Sequence, residues 1–226
     1  MKDRAVSTQV GMILVFGLVV VAVSMIYTGS KPIVEGMITS SHEMALEQSL
    51  TLLHSNLMKV AFDGVPVRVT EFRTYEGSVS VLNESYVNLN NTILHLGRIV
   101  YEGEKKKVII ENGGVFAVYG DNVLILKDPF VISRGNVTVF QVIQLKGIGS
   151  TAGKGVLRIR LESLGGGVFE ATNKTIIIHS DLRDKWAEIL RDNNFNVTVD
   201  GNNVIATCNS EKLLVKYIIV KVELLR

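Results

Sequence analysis

The chain has 226 residues, which suits one membrane segment plus one globular domain of ordinary size, or two small ones. Its 24 basic and 22 acidic residues leave a net charge of +2, and that balance calls for no nucleic-acid partner. The single cysteine, Cys208, excludes an internal disulfide and a thiolate metal cluster within one chain.

Mean hydropathy is +0.29, and part of the apolar excess lies in one block near the N-terminus. Residues 10–27 read VGMILVFGLVVVAVSMIY, 18 residues without a charge. At the helical rise this covers about 27 Å, close to the hydrocarbon thickness of a bilayer. The stub before it carries Lys2, Asp3 and Arg4, and Lys31 follows it. The positive-inside rule favours the stub in the cytoplasm and the C-terminal bulk outside. The small residues Thr28, Gly29 and Ser30 would also suit an ordinary removed signal. Apolar-periodic sequence resumes at once, however, which argues for a retained helix.

Pro32, between Gly29 and Gly36, predicts a kink or short break over residues 31–35. From Ser40, with Glu43 three residues on as a capping box, the pattern is clean. Leu46, Leu50, Leu53, Leu57 and Val60 step by four and three along one seam of an amphipathic helix. Asp63-Gly64, with Pro66 beyond, stops it.

From Val65 the period changes to two. Strands are predicted near 65–70, 78–81, 86–89, 93–100, 107–110, 115–119, 123–126, 137–145, 155–161 and 175–179. Turn chemistry separates them: Glu76-Gly77, Asn112-Gly113-Gly114, Gly120-Asp121-Asn122, Arg134-Gly135 and Gly165-Gly166-Gly167. That spacing suggests an antiparallel sandwich or meander. Lys105-Lys106-Lys107, set among Glu102, Glu104 and Glu111, reads as a solvated turn. Ser180-Asp181 caps a helix over 182–193, with Trp186, Ile189 and Leu190 on one face. Strands at 196–199, 203–207 and 213–224 follow, and the last, apolar on both faces, reads as central in its sheet.

The fold class is therefore α+β: a long N-terminal helix, membrane half then amphipathic half, followed by an antiparallel β-rich domain with one further helix near 181–193. The divisions are a stub over 1–5, a transmembrane plus amphipathic helix over 6–62, a β-rich domain over 65–164 and a C-terminal α+β portion over 168–226. The last is either a second unit hinged at Gly165–Gly167 or part of the same domain.

Little in the chain resembles a catalytic constellation. His42, His54, His95 and His179 show no metal-ligand spacing. Neither Gly165–Gly167 nor Gly147-x-Gly149 has the ending of a phosphate-binding loop, and the carboxylates form no paired set. No catalytic, cofactor-binding or metal residue is assigned, no cofactor is expected, and the chain is not read as an enzyme. N-x-S/T sequons, by contrast, begin at Asn83, Asn90, Asn136, Asn173 and Asn196, where residue frequencies alone give about two. All five lie beyond the apolar segment, as N-glycosylation outside the cell requires.

A short charged stub, Arg4-Ala5-Val6-Ser7-Thr8-Gln9, an apolar helix, an amphipathic helix and a β domain: this order resembles the archaeal type IV pilin-like proteins. The resemblance implies a class III signal, cut by a prepilin peptidase between Ala5 and Val6, so that the helix stays on the mature chain. Residues 63–71, 108–119 with Glu111-Asn112-Gly113-Gly114, 186–199 and 220–224 also resemble a haloarchaeal pilin-like surface-protein family, to which no activity is attached. Many type IV pilins use a Glu at the fifth mature position for docking; cleavage after Ala5 places Val10 there.

The expected function is a pilin-like structural subunit of an archaeal type IV filament or of its minor or initiating complex. Its partners are the membrane, other copies or other pilin-like subunits through the N-terminal helix, and the peptidase. It resides in the cell membrane, single-pass with the C-terminal domain extracellular, or in an extracellular filament. The rival readings are a membrane-anchored surface glycoprotein that does not polymerise, and an envelope enzyme or binding domain whose site forms only in three dimensions.

Overall fold

A computed structural model describes residues 2–74, 77–104 and 106–225. Glu76 of the expected Glu76-Gly77 turn and Lys105 of the lysine run lie outside the described residues. In chain order the elements are α1 (Lys2–Phe62), β1 (Val67–Thr74), β2 (Ser78–Leu82), β3 (Tyr86–Leu89), β4 (Thr92–His95), β5 (Arg98–Glu102), β6 (Lys107–Glu111), β7 (Gly114–Tyr119), β8 (Asn122–Lys127), β9 (Val131–Arg134), β10 (Val137–Lys146), β11 (Gly149–Ala152), β12 (Gly155–Glu170), β13 (Thr175–His179), α2 (Arg183–Asp192), β14 (Phe195–Asp200), β15 (Asn203–Cys208) and β16 (Lys212–Leu225). The chain divides into two compact units, Met1–Glu47 and Gln48–Arg226.

The first unit is helical throughout its described length. Pro32 stands inside α1 without interrupting it, so the break expected over 31–35 is absent, and so is the separate capped start at Ser40. The physical reason is a comparison of losses. Proline removes one backbone hydrogen bond from a helix, whereas stopping and restarting orphans four carbonyls and four amides.

The second unit begins with the last turns of α1. Leu50, Leu53, Leu57 and Val60 are buried as their spacing predicts, the last three completely. Asn56 Nδ2 donates to Thr70 Oγ1 of β1 at 2.9 Å, His54 Nε2 donates to the Gly113 carbonyl at 2.8 Å, and the Phe62 ring lies 5.6 Å from Phe130. The helix stops where expected: Gly64 takes φ +71°, and the Lys59 carbonyl accepts from both Asp63 and Val65 amides.

Three sheets follow. The first has the order β1-β12-β16-β10-β9, the second β11-β2-β5-β6-β7-β8 and the third β14-β15-β13-β3-β4. β16 is central, as its apolar faces predict. It pairs antiparallel with β12 but parallel with β10, the one parallel pair among the described residues. The stretch 93–100, read as a single strand, is two. At Gly97 (φ +65°) a Cβ would stand 2.2 Å from the Leu145 carbonyl, and the chain passes there from the third sheet to the second. β9 and β11, unmarked in the sequence, are short edge strands.

Gly165–Gly167 is not a hinge but the interior of β12, the longest strand at 16 residues. A bulge falls between Ser163 and Gly166, with Gly165 at φ +94°. A Cβ on Gly166 would lie 2.1 Å from the Tyr217 carbonyl, so glycine is what lets β12 stay paired along β16. The portion from 168 onward shares its sheets with earlier strands: β13 pairs with β3, and β16 with β10 and β12. Side chains of all three sheets and of α2 meet in one core around Phe116, Phe140, Ile176, Ile178, Trp186 and Val204.

Candidate functional site

Two features concentrate physical constraint: an uncovered apolar helix and a buried carboxyl. From residue 10 to residue 38 every side chain of α1 is exposed, including Met12 at 78%, Ile13 at 71% and Leu18 at 71%. Its most apolar stretch reaches a mean hydropathy of 2.6 with none of it buried, long and apolar enough to cross a membrane. The Ser and Thr hydroxyls there bond within the helix: Ser24 donates to the Val20 carbonyl at 2.8 Å, Thr28 to the Ser24 carbonyl at 2.9 Å and Ser30 to the Tyr27 carbonyl at 3.2 Å. Such internal satisfaction is what a lipid environment demands. The first charges after the segment, Lys31 and Glu35, pair with each other at 3.9 Å. A Cβ built on Gly11, Gly17, Gly29 or Gly36 meets nothing within 4 Å.

The second feature lies at the β6–β7 hairpin, residues 111–114, where Glu111, Asn112 and Gly113 each grip a different element. Glu111 is completely buried. Its Oε1 accepts from Ser180 Oγ at 2.8 Å and from Trp186 Nε1 of α2 at 2.8 Å. Ser180 in turn accepts from the Leu182 amide at 3.1 Å, which sets the start of α2. The helix expected over 182–193 runs over Arg183–Asp192, and the expected side-chain cap is absent: the N-cap residue is Leu182, which makes no side-chain cap bond, and Ser180 holds the turn ahead of the helix instead. Asn112, at φ +49°, lends its side-chain amide to β10: Nδ2 donates to the Gln141 carbonyl at 2.9 Å, and Oδ1 accepts from the Ile143 amide at 2.7 Å. Gly113 receives His54 of α1.

Directly across the β5–β6 ladder from Glu111 stands Arg98, 2% exposed. Its guanidinium turns to two exposed carboxylates, Asp181 at 3.0 Å and Glu84 at 2.5 Å. Glu111 Oε2, Arg98 Nε and the Ser85 hydroxyl are buried without a well-formed hydrogen bond, although Ser85 is near enough to act on the carboxyl. Burial raises the Glu111 pKa above the ordinary carboxylate value; the Trp186, Ser180 and Ser85 donors and the Arg98 charge offset only part of that. Neither Glu111 nor Arg98 was singled out as functional in the sequence, where Glu111 stands beside an Asn-Gly-Gly turn and Arg98 falls within the stretch 93–100 read as one strand.

The sequon asparagines are dispersed. Asn83, Asn136, Asn173 and Asn196 are exposed, and Asn90 is half-buried at the β3–β4 turn with φ +51°. Asn90 and Asn173 come together, Asn90 Oδ1 accepting from the Asn173 amide at 2.9 Å. The sequon hydroxyls differ more: those of Ser85 and Thr138 belong to fully buried residues, Thr138 bonding Ser210 at 2.8 Å, whereas Thr92 and Thr198 are exposed. Ala5 and Val6 lie within the backbone of α1. Among the described residues no group of three or more His, Cys, Asp or Glu is placed to hold a metal ion. An open groove of about 600 Å³ is lined by Val81, Ile148, Leu157, Val222 and Leu224, with Glu223 as the titratable side chain of its wall.

These features define a β-rich domain on a helix of membrane-spanning length. The chain belongs to the family of unknown function DUF7289, which it matches over residues 4–223. No curated protein and no solved structure matches it.

Proposed function

We propose that the chain is a pilin-like structural subunit of an archaeal type IV filament or of its minor or initiating complex, assembled through the first half of α1. The supporting observation is the exposed, largely apolar surface over residues 10–38, which carries no charge before Lys31. Leaving a Val, Leu, Ile or Met in water forfeits about 1.5–3 kcal/mol against burying it, and here more than a dozen stand uncovered. Such a surface needs lipid, and other helices can replace lipid at the same faces where glycines allow close approach. In this reading a prepilin peptidase cuts between Ala5 and Val6, and the domain from Gln48 onward faces the outside. The test is the N-terminus of the mature protein from its host, expected at Val6. Recovery of a peptide beginning at Met1, or of an N-terminus near Lys31, overturns the reading.

The exposed sequon asparagines Asn173 and Asn196, whose sequon hydroxyls are not buried, favour a second reading, a membrane-anchored surface glycoprotein that does not polymerise. Replacing Gly11 and Gly17 with Leu separates the two. It disrupts filaments in the first reading and changes nothing in the second, in which native extraction yields monomers and microscopy shows no filaments.

A further inference from the structure

The β6–β7 hairpin does more than turn the chain. It joins α1 through Gly113 and the half-buried His54, the first sheet through Asn112 and α2 through Glu111, and the last of these junctions has a completely buried acid at its centre. The charged groups facing that centre are Arg98 from β5, Glu84 from the segment before β3 and Asp181 from the segment before α2. Arg98 already stands between two carboxylates, so a charged Glu111 would be a third negative group around one positive one, and the only one out of water. A neutral carboxyl avoids this. Its carbonyl oxygen accepts from Ser180 and Trp186, and its Oε2, buried without a hydrogen-bond partner, is left to carry the proton.

We propose that Glu111 is a proton-operated latch: as the neutral acid it fastens α2 to the second sheet, and on losing its proton to solvent it draws Arg98 away from Asp181 and Glu84 and loosens the seat of Trp186. Arg98 is placed for this because it is the cross-strand partner of Glu111. Asp181 is the residue that feels the loss, two positions before the first residue of α2. Coupling to the rest of the domain runs through Asn112 and Gly113, the next two residues of the chain.

Trp186 is the sole tryptophan, and its indole nitrogen bonds the group in question, so its emission reads the latch directly. The full-length protein in detergent is titrated from about pH 4 to about pH 9. Wild type is expected to show a red shift as pH rises, with its midpoint above the ordinary glutamate value. Glu111→Gln, which keeps an acceptor for Trp186 and cannot ionise, is expected to lose the transition. Asp181→Asn, an exposed substitution that frees part of the Arg98 charge for Glu111, is expected to move the midpoint down; it decides the matter if Glu111→Gln does not fold. A wild type with no transition in this range, an unchanged transition in Glu111→Gln, or an unmoved midpoint in Asp181→Asn overturns the proposal.

Discussion

Single residues in the 111–114 hairpin carry unusual weight because each satisfies groups that water cannot reach. Asn112 supplies both a donor and an acceptor to β10 and holds a left-handed backbone that asparagine tolerates. Asn112→Ala orphans the Gln141 carbonyl and the Ile143 amide and strains the turn. It is expected to lower stability by about 2–4 kcal/mol in chemical denaturation. Glu111 gives a pH signature of determined sign. Its folded pKa is raised, so the folded state binds the proton more tightly than the unfolded chain. The stability this contributes is fully present below the unfolded glutamate pKa and is lost as pH rises through the folded one. Unfolding curves of wild type are therefore expected to weaken with rising pH relative to Glu111→Gln, and a difference that stays flat with pH contradicts the assignment.

At the scale of elements, α1 and β12 make the clearest demands. The seam of α1 is one-sided within the second unit: Leu53 is fully buried while Leu52 is 51% exposed. Leu53→Ala is expected to cost about 2–5 kcal/mol, Leu53→Asp to unfold the domain, and Leu52→Asp to leave its melting unchanged. In β12 the constraint is backbone approach. Gly166→Ala forces a Cβ against the Tyr217 carbonyl and is expected to destabilise by about 1–3 kcal/mol. Gly149→Ala, where the nearest atom to a new Cβ is a Leu224 methyl at 3.8 Å, serves as the near-neutral control.

For the whole molecule the decisive contrast is between an apolar helix without cover and a domain with a closed core. A chain beginning at Gln48 is expected to stay in the aqueous phase on detergent partitioning, and the full chain to enter the detergent phase. Partitioning of the shorter chain with the detergent would place the apolar surface elsewhere. On the glycoprotein reading, carbohydrate added to the folded domain is expected at Asn90, Asn173 and Asn196, and not at Asn83 or Asn136, whose sequon hydroxyls are buried. Glycopeptide mapping checks this site by site.

Local signals were enough for the elements of one period and one environment. The uncharged run of residues 10–27, the leucine seam of α1 and the two-residue alternation of the strands each repeat over several turns or pleats. The burial they imply does not depend on which partner lies opposite. The class, α+β with a membrane-length helix, was legible for that reason. Tertiary structure alone decided what depends on the partner. Glu111 ends an apolar strand beside an Asn-Gly-Gly turn, where an acid is ordinarily solvated; α2, from far along the chain, covers it. Gly165–Gly167 has the composition of a hinge, and only the carbonyl of Tyr217 opposite shows why glycines continue a strand there. The segment 93–100 alternates like one strand, but the Leu145 carbonyl against Gly97 divides it between two sheets. Each is a contact between residues distant in sequence, and hydrophobic periodicity carries no information about which distant backbone will come within a van der Waals radius.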